Sequence, residues 1–323
     1  MSEAWRGERR ARMALIGLGI GAAVAIVLFT TLGARGSWGF ILWFRGVKLI
    51  GLILVAYAVA VSTVLFQTVT NNRILTPSIM GFDALYILIQ TMVVVFFGSA
   101  TLATLPPWPA FLGQVAAMML FSGLLFRFLF TGAERGLYLL VLVGIVIGTF
   151  FRSVAEFAQR VLDPNEFAML QDSLFASFNS IDTRLLGTAG ALVLAASAIG
   201  FRMLPALDVL MLGRPMAIGL GVPYRRTVTA ALVIVAVLVS VSTALVGPVT
   251  FFGLLVASLA HALVGTSRHR LILPAAVLIA VIALVGGQMI LERLFAFDTA
   301  LSIVIEFVGG IVFLFLILRR NAR

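Results

Sequence analysis

The feature that most limits what this chain can fold into is a succession of apolar runs, each near twenty residues long, separated by short polar interruptions. A helix rises about 1.5 Å per residue, so about 20 apolar residues cross the roughly 30 Å hydrocarbon layer of a bilayer. The runs fall at 13–32, 47–66, 82–98, 110–130, 137–158, 185–204, 226–246, 250–264, 271–291 and 298–318. They are apolar on every side, as in AALVIVAVLVSVSTALV, whereas a spanning barrel strand would alternate polar and apolar residues. The prediction is an all-α integral membrane protein, about ten transmembrane helices in a single domain covering 1–323, with no soluble domain large enough for chemistry of its own. The run at 250–264 is short and follows Gly247-Pro248, which predicts a broken or half-length helix buried among its neighbours. Gly17/Gly21 and Gly144/Gly148 have the small-xxx-small spacing of close helix packing.

Charge sets the orientation. The chain is 62% hydrophobic and 11% charged, with a formal net charge of +10. Its positive residues lie between the apolar runs, not along a basic helix with interleaved aromatics, which excludes nucleic acid as a partner. With the N-terminus inside, 16 of the 23 basic residues fall on the cytoplasmic side. The other side holds Arg35, Arg45, Lys48, Arg152, Arg160, Arg184 and Arg293, balanced by Glu156, Asp163, Glu166, Asp172, Asp182, Glu292 and Asp298. Both termini are therefore expected in the cytoplasm. Arg6, Arg9, Arg10 and Arg12 precede the first run, which is long enough to be a retained span preceded by a cytoplasmic segment, 1–12, and not a signal core. There is no cysteine, and thus no disulfide framework or thiolate metal site.

Catalytic chemistry is hard to assemble from what remains. His261 and His269 are the only histidines, and no His/Asp/Glu cluster has metal-ligand spacing. Lys48 is the only lysine, so no GxxxxGK[ST] phosphate loop exists. Glu306 is the one acid in the middle of a run, either a proton or substrate site on a pathway or a hydrogen-bonded carboxyl locking spans together. Gln67-Thr68-Val69-Thr70-Asn71-Asn72-Arg73, followed by Thr76-Pro77, is either polar backbone lining a cavity or a cytoplasmic loop. The segment 152–184 is the longest polar stretch outside the membrane. The segment 204–226 is too interrupted by Gly and Pro to span, yet suits a short surface helix that rests on lipid headgroups or docks a cytoplasmic partner.

Four stretches in order resemble the permease subunits of binding-protein-dependent ABC importers of the iron-siderophore and cobalamin type, the FecCD family. They are RGVKLIGLILVAYAVAVSTVLFQTVTNNRILTPSIMGFDALY, LGRPMAIGLGV, GPVTFFGLLV and TSRHRLILPAAVL. The NNRILTPSIMGFD form of the first is similar to the branch that imports catecholate siderophores such as enterobactin, vibriobactin or petrobactin. Ala257-Ser258 replaces the family's Pro-His. The resemblance implies a type II ABC importer permease in the bacterial cytoplasmic (inner) membrane, one that carries ferric siderophore and is not itself an enzyme. It implies a cytoplasmic coupling helix within 206–221, with Leu207, Leu212, Gly213, Arg214, Ala217 and Gly221 meeting ATPase subunits. Gln67, Asn71, Asn72, Ile74, Thr76 and Glu306 are expected on the pathway or its gate. Arg45, Lys48 and Arg293 are expected to face acidic residues of a periplasmic or lipid-anchored substrate-binding protein. No cofactor is expected on this chain, with ATP and Mg on the partner ATPase. A second permease, which the catecholate branch favours as a distinct homologous chain, and membrane lipids complete the expected partners. The alternatives are a proton-coupled secondary transporter using Glu306, a same-family importer of haem or cobalamin, and an intramembrane enzyme, which the shortage of His, Cys and paired carboxylates disfavours.

Overall fold

The computed structural model describes residues 3–33, 37–130, 137–176, 178, 181–294, 301, 307 and 309–311. The elements run α1 (Glu3–Thr31), α2 (Trp38–Thr70), a 3₁₀ turn (Pro77–Met80), α3 (Phe82–Phe97), α4 (Ser99–Thr104), α5 (Pro107–Phe130) and α6 (Leu137–Gln159). They continue with α7 (Pro164–Leu174), a 3₁₀ turn (Thr183–Leu185), α8 (Leu186–Leu210), α9 (Arg214–Gly219), α10 (Tyr224–Val246), α11 (Phe252–Val264) and α12 (His269–Leu294). Among the described residues seven helices are long and apolar enough to cross a membrane, and α3 and α11 are shorter apolar helices. Nine of the ten predicted runs thus fall on helices, while the tenth, 298–318, lies largely outside the described residues.

The bundle has an inner pair and a periphery. In α2 and α10, 72% and 67% of the spanning window is buried, against 17% for α1 and 22% for α6. Lipid tails are as apolar as leucine, so helices associate by close packing, not by expulsion from water. Small side chains permit it: Ala58, Ala60, Ala231, Ala236, Ala257 and Ala260 are fully buried. Helix α6 approaches the end of the Pro77–Met80 turn closely, where a Cβ on Gly148 would lie 2.8 Å from the Gly81 Cα. Gly81 itself has φ +94°, so glycine is needed there for both conformation and space. Gly144 packs on Met80 in the same contact, as its spacing predicts. On α1, Gly21 meets Ile282 of α12, while a Cβ on Gly17 would meet nothing within 4 Å among the described residues.

Two boundaries differ from those expected. Helix α1 starts well before Met13, and in its first turns Glu8 pairs with Arg12 one turn on at 3.0 Å and with Arg268 at 3.7 Å. The polar stretch 152–184 is largely helical: Asp163 Oδ1 accepts from Asn165 N–H at 2.9 Å and Pro164 occupies the first turn, which together start α7. Glu166 on α7 in turn accepts from the Ser99 backbone N–H, capping α4. The short helix α11 begins only after the Gly247-Pro248 break, as anticipated, and buries Phe252, Leu254, Val256 and Ala260.

Candidate functional site

Helix α2 does not end where its apolar run ends. Thr68 and Thr70 return their hydroxyls to the Val64 and Phe66 carbonyls at 2.9 and 2.8 Å, so the polar stretch 67–70 remains helical instead of irregular. The helix stops at Asn71, whose φ of 49° places it in the left-handed region. Asn71 N–H donates to the Thr68 carbonyl and Asn72 N–H to the Gln67 carbonyl, the paired bonds of a Schellman motif. Asn72 Oδ1 then accepts from Ile74 N–H at 3.0 Å, and Gln67 Nε2 donates to the Arg73 carbonyl at 2.8 Å. Of the predicted pathway residues, Gln67, Asn71, Asn72 and Ile74 therefore form one locked turn, with Ile74 63% exposed at its tip. Thr76 turns inward and is buried. Glu306 lies outside the described residues.

Thr76 also lines a small cavity between α2, the Pro77–Met80 turn, α10 and the start of α11. Ser62, Thr63, Ser242, Thr243 and Thr250 contribute further hydroxyls to its wall. Thr250 Oγ1 donates to Asp83 Oδ2 at 2.9 Å, which joins the Gly247–Thr250 loop to α3. Four of these hydroxyls come as adjacent pairs, Ser62-Thr63 and Ser242-Thr243, each inside a different apolar run, and nothing local shows that the fold brings the pairs together.

The predicted coupling segment is divided. Residues 206–210 complete α8, which continues through Pro205, and the break comes at Gly213 with φ +90°. The short helix α9 closes with Gly221 N–H on Ile218 and Val222 N–H on Ala217, again a Schellman pair. Arg214 lies over the Tyr224 ring at 5.8 Å, fixing α9 to α10. Leu207 and Ala217 are buried and hold the segment against the bundle. Its outward surface is made by Arg214 with Leu212, Met216, Ile218 and Leu220, each of these four apolar side chains more than half exposed.

At the opposite ends of these helices the predicted docking positives gather around the end of α1. Arg45 Nη1 donates to the Phe29 and Leu32 carbonyls at 2.8 and 2.9 Å, and Arg293 donates to the same Leu32 carbonyl. Such caps satisfy carbonyls that the helix itself leaves without partners. Lys48 Nζ pairs with Glu292 Oε1 at 2.5 Å, and the two side chains retain only 14% and 15% exposure. Arg293 is the exposed member of the group.

One constellation was not singled out in the sequence. His269, 1% exposed at the start of α12, places Nδ1 2.6 Å from Asp208 Oδ1 and Nε2 2.7 Å from Thr68 Oγ1. Its backbone N–H donates to the same Asp208 oxygen at 2.8 Å. The only available signal was a histidine next to a basic turn, with partners 61 and 201 residues away in the chain.

The FecCD transport family is matched over residues 12–319. The chain belongs to the FecCD transport family. The petrobactin import system permease protein YclO of Bacillus subtilis (strain 168) is 46% identical over 307 residues, 95% of this chain and 96% of that one. The petrobactin import system permease protein FatC of Bacillus anthracis is 36% identical over 329 residues, 99% of this chain and 93% of that one. Among solved structures, an inward-facing conformation of a metal-chelate type ABC transporter superposes with a TM-score of 0.83 at 20% identity, over 95% of this chain and 99% of that one. That similarity carries the FecCD fold. Like its FecCD relatives, the chain is a multi-pass membrane permease, with its apolar spans lying in the bacterial cytoplasmic membrane.

Proposed function

We propose that this chain is one of two permease subunits of an ATP-driven, binding-protein-dependent importer of ferric siderophores of the catecholate type, with petrobactin as the foremost candidate substrate. The observation that carries the reading is the 46% identity to a petrobactin import permease, sustained over 95% of the chain. In this reading α9 docks in the cytoplasmic ATPase through Leu212, Arg214, Met216, Ile218 and Leu220, while Leu207, Gly213, Ala217 and Gly221 set its position and shape. ATP and Mg are bound by that partner. The 67–76 turn forms the inner gate, and Glu306 is assigned to the pathway as its intramembrane carboxyl. Arg45, Lys48 and Arg293 build the outer rim that receives the substrate-loaded binding protein, and the second permease is a distinct homologous chain. ATP-driven closure pushes on α9, and rigid helices convert that push into alternate opening of the two ends.

The test is iron uptake in cells lacking their own petrobactin permeases, supplied with this chain and its partner subunits. Ferric petrobactin should enter, with haem and cobalamin failing to compete. Uptake that persists when the ATPase is deleted would favour the proton-coupled alternative instead.

A further inference from the structure

Three helix ends that meet at the inner side of the bundle are joined by a single side chain. Asp208 lies in the last turn of α8, just before the chain turns through Met211–Gly213 into α9. Thr68 lies in the last turn of α2, and its own carbonyl accepts the Asn71 N–H that stops that helix. His269 opens α12 and reaches both, with Nδ1 at 2.6 Å from the aspartate and Nε2 at 2.7 Å from the threonine hydroxyl. An ionised carboxylate can only accept, so Nδ1–H donates to Asp208, and Nε2 shares a hydrogen bond with the Thr68 hydroxyl, which holds the ring between the two.

A ring placed only to fill space would not satisfy both nitrogens with side chains from two other helices. Packing offers α8 few other routes to α12, since the two helices touch only slightly. The polar tie between α8 and α2 is Tyr57 to Ser197 at 2.7 Å, far along both helices from Thr68 and Asp208. The Nε2–Thr68 bond is buried, so breaking it leaves an unsatisfied polar group in an apolar surround, while Asp208, whose side chain is 35% exposed, is held by both the ring and the backbone N–H of His269.

We infer that His269 is the positioning residue that links α9 to the inner gate: displacement of α9 moves Asp208, the imidazole carries it to Thr68, and Thr68 shifts the Gln67–Asn72 turn. The inference rests on the reading of α9 as the ATPase-docking helix. It extends that reading by assigning the connection between the docking surface and the pathway.

The assembled transporter, reconstituted in vesicles with its ATPase, second permease and binding protein, tests it through ferric petrobactin transported per ATP hydrolysed. In His269→Ala and Asp208→Asn the ATPase should still co-purify and hydrolyse ATP within about twofold of the parent, while transport per ATP falls about tenfold. Thr68→Val, which keeps the shape and removes the hydroxyl, should fall likewise, and Thr68→Ser should restore coupling. An unchanged ratio in His269→Ala overturns the inference. So does a parallel loss of hydrolysis, transport and thermal stability in both threonine variants, which marks a packing role only. Failure of the docking reading shows separately, as an ATPase that still co-purifies when Met216 and Leu220 are both replaced by glutamate.

Discussion

The two ends of α2 are secured by different chemistry. At the inner end the fastening is directional hydrogen bonds: a buried one between Thr68 and His269, a part-buried one from Gln67 to the Arg73 carbonyl, and the paired backbone bonds that stop the helix at Asn71. At the outer end the fastening is charge, with Arg45 and Arg293 on the carbonyls of α1 and Lys48 on Glu292. A partly exposed charge weakens with salt and can exchange one partner for another, whereas a buried hydrogen bond cannot be exchanged without leaving a group unsatisfied. The contrast suits the proposed division of labour. A binding protein must arrive and leave at the outer rim, while the inner end must transmit a displacement without slack.

The largest effect is expected at the inner surface. Replacing Met216 and Leu220 together with glutamate places two charges on the apolar docking face and should abolish ATPase co-purification, while expression and membrane insertion remain at parental levels. Normal co-purification would remove α9 from the docking role. Next comes the outer ion pair. Lys48→Met leaves Glu292 mostly buried without its cation and should lower stability by about 3 kcal/mol, with Lys48→Met/Glu292→Gln recovering most of the loss. A double variant as unstable as the sum of its singles would show that the two residues do not act as a pair. Smaller still is the effect of Asn71→Val, which forces a β-branched residue into left-handed backbone at a cost of about 1–2 kcal/mol. Asn71→Gly should stay within a few tenths of the parent in thermal unfolding. The mildest change is Arg293→Ala. It removes one exposed cap from the Leu32 carbonyl, which should lower stability by no more than about 1 kcal/mol, and should slow binding-protein association at low salt, the difference vanishing near about 1 M salt.

Much of the architecture is legible in the chain because lipid imposes one rule. Every spanning segment must satisfy its own backbone, so apolar runs of helical length mark the spans directly. Even the short α11 is announced by Gly247-Pro248. Ends are harder to read. The chain over 67–70 looks like the start of a loop, yet its threonines bond back one turn and keep α2 helical to Thr70. The segment expected as one surface helix is divided at Gly213, which moves Leu207 into the buried end of α8 and leaves Met216 and Leu220 on the outside. Lys48 stands out as a positive charge on the disfavoured side, but its pairing with Glu292 spans 244 residues and has no local signature. The same holds for His269. A histidine beside two arginines looks like part of a basic turn until the fold brings Asp208 and Thr68 to its two nitrogens.

This permease is expected to convert ATP hydrolysis into movement of a ferric catecholate. Vesicles holding the complete transporter, with ATP on the ATPase side and radiolabelled ferric petrobactin with its binding protein on the other, measure that directly. Uptake should require ATP, stop when the ATPase is inactivated, and be indifferent to collapse of the proton gradient. Uptake without ATP that follows the proton gradient would contradict it.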